Sequence, residues 1–136
     1  MKIGAAVLYS LGASEIIGIQ DVQDPTTESE FLSLQYTCSV PITWTQYQNQ
    51  YPIVEKNVAL LFVRQERNVL LQLSDWLMTS DVFQTLENKN EWIQYRQLLR
   101  DFPSTQFTIS WNIDGTLNLS NISWPQKPAI VRTTQS

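Results

Sequence analysis

Residues 54–101 hold two amphipathic segments, split by a Ser-Asp step and closed by a proline, and no other stretch restricts the fold as much. Val54, Val58 and Leu61 fall on one helical face. Val69, Leu70 and Leu73 continue close to it, and Leu60, Val63 and Leu71 widen the stripe. Lys56, Asn57, Gln65, Glu66, Asn68 and Gln72 sit mostly opposite. A stripe of this period predicts a helix over 54–73 packed on something apolar. The β-branched valines lower its intrinsic propensity, so tertiary packing must hold it. Val58 to Val63 taken alone also fits a strand.

Ser74-Asp75 breaks the pattern, because both side chains can bond nearby backbone amides and favour turns and caps. Trp76, Leu77 and Met78 follow as an apolar cluster, and 79–86 reads as irregular or as a short helical turn. A second helix is predicted from Asn88 to Asp101. Asn88 or Asn90 suits its N-cap, and Glu91 lies in the first turn, where negative charge is favoured. Trp92, Tyr95 or Arg96, and Leu99 share one face. Arg96 and Arg100 stand toward the C-terminal end, and Pro103 stops the helix. The expectation is a helical hairpin whose loop is anchored by Trp76.

Three runs of this region carry a likeness to known proteins. The first is Arg67-x-x-Leu70-Leu71-x-x-Ser74-Asp75-Trp76. The second is Glu91-Trp92-x-x-Tyr95-Arg96-Gln97-x-Leu99-Arg100-Asp101-x-Pro103, and the third Trp124-Pro125-x-Lys127-Pro128. Together they resemble the phage tail assembly chaperone-like domain, over about residues 64–128. They are also similar to the C-terminal part of caudoviral tail-fibre assembly proteins, which share the Trp-x-x-Tyr-Arg and Trp-Pro-x-x-Pro elements. One departure stands out: Thr105 to Asn121 intervene before the Trp-Pro element and read as a hairpin. The resemblance implies a late, non-enzymatic phage protein that binds a tail-fibre or other tail protein in the host cytoplasm and assists its assembly. Within the resemblance, Arg67, Asp75, Trp76, Trp92, Tyr95, Arg96 and Asp101 form the structural motif. The competing reading is a virion subunit that stays on the fibre or baseplate.

A chain of 136 residues suits one domain, or a small domain with an appendage. Its 13 acidic and 9 basic residues leave a net charge of −4. The excess is local: Lys2 faces Glu15, Asp21, Asp24, Glu28 and Glu30 in the first fifty residues, while the remainder holds eight of each sign. Nucleic-acid binding is disfavoured, since neutralising phosphates needs a basic patch. No apolar run suffices to span a membrane. The lone Cys38 cannot make an intramolecular disulfide. Histidine is absent, which removes the commonest general base and metal ligand. No catalytic, cofactor-binding or metal-binding residue is expected. Asp75, Asp81, Glu91 and Asp101 read instead as helix caps or as partners of Arg67, Arg96 or Arg100.

Along the rest of the chain, Lys2 to Leu11 reads as a buried strand and Gly12 to Ser14 as a turn. Glu15 to Ile19 reads as a second strand and Asp21 to Glu30 as a surface loop. Phe31 to Cys38 alternates, predicting a half-buried strand with Leu32, Leu34, Tyr36 and Cys38 on one face. Ile42 to Tyr51 suits a strand or an ordered loop leading to Pro52. Asp114-Gly115 between strand-like runs predicts a hairpin over 106–120. Ala129 to Ser136 reads as a tail. Trp76, Trp92 and Trp124 suit the hydrophobic centre of the C-terminal module, with indole N–H groups on carbonyls.

The expected fold is α+β, with a small N-terminal antiparallel β module over 1–52. A helical hairpin with a C-terminal β-hairpin follows over 53–136. Candidate partner-binding residues are Tyr36, Trp44, Tyr47, Tyr51, Trp124 and Pro125; core packing competes for the aromatic ones. The N-terminal module, acidic and aromatic, is expected to choose the partner. A second copy of the chain, as a homo-oligomer, is the other candidate partner.

Overall fold

The computed structural model describes residues 3–17 and 24–133. Gly18, Ile19, the start of the expected acidic loop and the last three residues lie outside them. The element order is α1 (Gly4–Ser10), β1 (Glu15–Ile17), α2 (Glu28–Leu32), β2 (Gln35–Thr37), α3 (Trp44–Ser74), α4 (Ser80–Phe83) and α5 (Lys89–Asp101). Single 3-10 turns fill Asp75–Met78, Phe102–Ser104 and Leu119–Asn121. β1 and β2 form a two-stranded antiparallel sheet with Ile16 opposite Tyr36. The fold is α+β, as expected, but its N-terminal part is more helical than a β module.

The first correction is α1, where a strand was expected over Lys2 to Leu11. Ile3, Val7 and Leu8 recur at helical spacing and are almost wholly buried. The Asp24 carboxylate accepts the free amides of Ile3 (2.8 Å) and Gly4 (2.7 Å), serving as the cap the local sequence lacks. Gly12 is the helix stop and not a hairpin turn. It has φ 107, its N–H bonds the Tyr9 carbonyl, and the Ala13 N–H reaches the Leu8 carbonyl. That pair of bonds around a left-handed residue is the Schellman ending.

The second correction is the alternating run Phe31 to Cys38, which holds the end of α2 and then β2. Thr27 caps α2 by accepting from the Glu30 N–H (3.2 Å), and the Glu30 carboxylate reaches back to Thr26 N–H (3.1 Å). The expected face breaks up as a result: Phe31 is buried and Leu32 is 71% exposed.

The third correction is the start of α3 at Trp44, where a strand or loop was expected over 42–51. Thr43 and Gln46 cap reciprocally, Gln46 N–H to Thr43 Oγ1 (3.1 Å) and Thr43 N–H to Gln46 Oε1 (3.0 Å). This is the capping box, and it was written in the sequence as Thr-x-x-Gln. Pro52 lies inside the helix. Its ring removes a bond to the Gln48 carbonyl, yet both residues face solvent, so water can take that carbonyl.

A fourth correction concerns 106–120. No hairpin strands form there; Trp111 and Leu117 make one isolated antiparallel bridge closed by the turn Asn112–Gly115. Asp114 accepts both the N–H and the hydroxyl of Thr116 inside the turn. Beyond the bridge the Asn118 N–H bonds the Ser110 carbonyl, and the chain then enters the 3-10 turn Leu119–Asn121, which Asn118 caps, so the ladder ends there.

The chain packs as two compact units, Met1–Ala59 with Trp111–Leu117, and Leu60–Ser110 with Asn118–Ser136. Residues 52 and 53 both lie inside α3. The first unit is built on Ile3, Val7, Leu8, Phe31, Tyr47 and Val54. The second is built on Leu77, Leu86, Trp92, Tyr95 and Leu99, with Leu70, Leu71, Met78 and Trp124 packed around them. Among the described residues no helix is long and apolar enough to cross a membrane.

Candidate functional site

In the second unit Arg96 ties α5 to the end of α3. One guanidinium nitrogen donates to the Leu71 carbonyl (2.8 Å) and to the Ser74 hydroxyl (2.6 Å). The other donates to Asp75 (2.8 Å). Leu71 O is one of the last α3 carbonyls, left over where the helix stops. A charged donor there suits the helix dipole, and a forked guanidinium can serve the carbonyl and the carboxylate together. The Asp75 side chain is 60% exposed against 10% for Arg96, so the pair presents its acidic side to solvent. The Arg96 Nε–H is buried with no partner among the described residues.

Trp92 is fully buried, with its ring edge-on to Tyr95 at 5.7 Å. Its indole N–H donates to the Ala129 carbonyl (3.2 Å), which also accepts from the Asn88 side chain (2.7 Å). Burial raises the Tyr95 hydroxyl above the ordinary tyrosine value. Residues 129–133 form a strap over 85–92: Glu87 N–H bonds Val131 O (2.8 Å) and Thr133 N–H bonds Thr85 O (2.7 Å). Asn88 was expected only as a cap; it makes no side-chain cap bond and instead holds the strap. Nothing local in the sequence signals a bond across forty residues.

The remaining motif residues are spread over this unit. Arg67 donates to Asn68 (2.9 Å) and weakly to the Arg100 carbonyl (3.4 Å). Asp101 accepts from Gln97 (3.1 Å). Trp124 is half-buried against Phe102, ring centres 4.5 Å apart, with Pro125 half-buried beside it. Trp76 is 46% exposed, which corrects its expected place at the hydrophobic centre.

The N-terminal aromatic candidates are packed together in the first unit. Trp44 stacks on Tyr47 at 5.7 Å and 14°, and Phe31 meets both. Tyr47 is 2% exposed, so it belongs to the core and offers a partner nothing. Trp44, Tyr51 and Tyr36 are half-buried. Tyr51 donates to Asp24 (2.8 Å), and Tyr36 to the Ile42 carbonyl (3.3 Å). Burial, then the Asp24 charge, raises the Tyr47 hydroxyl well above its ordinary value. Burial and the bond to Asp24 do the same for Tyr51. Asp24, expected as a loop residue, is the missed pivot of this unit. Its role depends on positions twenty or more residues away.

Among the described residues no three metal-ligating side chains come together. The arrangement joins α5 to the end of α3 through Arg96 and ties residues 129–133 to 85–92. A family model described as phage tail assembly chaperone protein matches residues 61–129, half of the chain. No curated protein and no solved structure matches the chain.

Proposed function

The chain belongs to the phage tail assembly chaperone family, and from that premise we propose that it binds an unassembled tail polypeptide and keeps it competent to assemble. The observation that carries this reading is the family match over 61–129. That range holds the Arg96 joint and the Trp92 centre entire, so the whole packed motif lies within the matched range. The surface supports it in kind. Val69, Leu73 and Trp76, at the end of α3 and just past it, are each close to half exposed or more. Exposed apolar groups of this sort can cover apolar surface on an unassembled subunit. The tail-fibre protein is the specific partner we favour, and the host cytoplasm is where the two would meet.

A nonsense mutation in the gene, complemented in trans, tests the role. Lysates should hold heads without complete tails, and tails should return on complementation. Mass spectrometry of purified particles should show the chain absent. Normal tails without the protein would overturn the reading. A fixed copy number in the particles would make it a structural subunit.

A further inference from the structure

The strap 129–133 is bonded to 85–92 through every second residue. The Ala129 carbonyl accepts from the Trp92 indole N–H (3.2 Å) and the Asn88 side chain (2.7 Å). The Val131 carbonyl accepts from the Glu87 N–H (2.8 Å), and the Thr133 N–H donates to the Thr85 carbonyl (2.7 Å). Leu86 and Arg132 form an antiparallel bridge between the last two bonds. Residues 129, 131 and 133 turn the same edge of an extended backbone toward their partners. The groups they offer are two carbonyls and an N–H, which any extended segment carries at that spacing.

The two sides of this contact are held differently. On the receiving side Leu86 is 2% exposed and Trp92 is fully buried, and both belong to the core of the second unit. On the strap side residues 129–133 are all exposed, Ile130 at 45% and Val131 at 41%. Hydrogen bonds with little apolar burial hold the strap, and such a segment opens locally while the rest stays folded. Lifting it leaves the receiving groups in place but takes partners from Trp92, Glu87 and Thr85. Unpaired polar groups at a buried site are costly, so the vacated site favours another extended backbone. The matched family range ends at Ala129, so the receiving groups lie inside it and residues 130–133 lie outside it.

We infer that residues 129–133 are a built-in competitor, seated where an extended segment of the tail polypeptide docks and displaced by that segment when it binds. The inference rests on the proposed chaperone function and names where the partner binds and what guards the site. The incoming segment accepts from Trp92, Asn88 and Glu87 and donates to Thr85, as the strap does. A tethered strap competes at high effective concentration, so a segment must add contacts of its own to win the site. The affinity measured for the partner is lowered by the fraction of chains in which the strap is closed. Loosening the strap should therefore tighten binding, which a purely structural strap would not do.

A disulfide tests this within one protein. Glu87 and Val131 face each other beside the bridge, and both are exposed. Facing residues of an antiparallel pair lie about 4.5–5.5 Å apart, inside the Cα range of a disulfide, about 4.4–6.8 Å. In the full chain carrying Cys38→Ser, the substitutions Glu87→Cys and Val131→Cys lock the strap when oxidised and free it when reduced. The probes are overlapping synthetic peptides covering the tail polypeptides of the phage that encodes this chain. The best binder should bind the oxidised form about tenfold more weakly than the reduced form, or worse. Thr133→Pro removes the strap N–H while keeping the segment extended, and should tighten binding by about threefold or more. In the wild-type complex, hydrogen exchange should speed up at the Thr133 amide while the Glu87 amide stays protected. If peptides bind but oxidation and Thr133→Pro leave the affinity unchanged, or Thr133 keeps its protection, the strap is not displaced and the chaperone function stands. A dimer of the chain alone that oxidation abolishes would make a second copy's strap the occupant, and would also overturn the inference. If no tail peptide and no intact tail polypeptide binds the wild-type chain, both fall.

Discussion

Arg96 and Asp75 share one ion pair, yet their removal should not cost the same. Asp75 is largely in water, and water can take its place on the guanidinium. Arg96 is buried and also serves the Leu71 carbonyl and the buried Ser74 hydroxyl, which both lose that donor when it is removed. Bonds to a charged donor are worth about 1.5–3 kcal/mol each, so Arg96→Ala should cost about 3 kcal/mol or more. Asp75→Ala should cost about 0.5–2 kcal/mol, in the range of a lost cap. Chemical denaturation of both variants checks this, and an Asp75→Ala loss equal to that of Arg96→Ala would contradict it. The two tyrosines on Asp24 make a similar contrast. The Tyr47 hydroxyl is buried without a partner among the described residues, so Tyr47→Phe should leave stability unchanged or raise it. Tyr51→Phe removes a bond to a carboxylate and should cost about 1.5–3 kcal/mol. Both hydroxyls hold their proton more tightly when folded. The stability this gives is full below the ordinary tyrosine value near 10 and is lost as pH rises through the raised folded values. Alkaline unfolding should therefore begin above about pH 10, and phenolate absorbance should rise together with it.

Among the elements, α5 was legible from its stripe, its first-turn acid and Pro103, and only its start differs by a residue. α3 was legible only from residue 54, where its apolar stripe begins; the run before Pro52 suited a strand or an ordered loop. The capping box at Thr43 and Gln46 starts the helix at Trp44, and the bond lost at Pro52 lies on the solvent face. Pro52→Ala should restore the bond to the Gln48 carbonyl. Proline costs about 3 kcal/mol against alanine inside a helix, so stability should rise by about 1–3 kcal/mol. An unchanged melting temperature would mean that the chain bends at Pro52 without strain. α1 and α2 were misread for a common reason. Short apolar runs do not separate strand from buried helix by period alone, and the deciding cap of α1, Asp24, stands twenty residues away. The predicted hairpin over 106–120 failed the other way. Asp-Gly made the turn, but just past the Trp111–Leu117 bridge Asn118 caps a 3-10 turn and the chain leaves the ladder.

At the scale of the whole molecule, the motif region was readable because it is made of local runs: two helices, their break and a Trp-Pro segment, all within the matched 61–129. What stayed hidden was how the runs meet. Arg96 finds Leu71 across 25 residues, and Trp92 finds Ala129 across 37. The choice of partner by the acidic N-terminal part is still a proposal, and α3 dictates how it must be tested. A cut at residue 52 would sever that helix, so the whole chain must be used. The central claim is that this chain holds a tail polypeptide before assembly. The most direct measurement co-expresses it with each tail polypeptide of its phage in turn and determines the mass of the soluble species by size exclusion with light scattering. A discrete complex should form with at least one of them, and that polypeptide should aggregate or stay insoluble when expressed alone. If every tail polypeptide is equally soluble with and without the chain and no joint species elutes, the account is wrong.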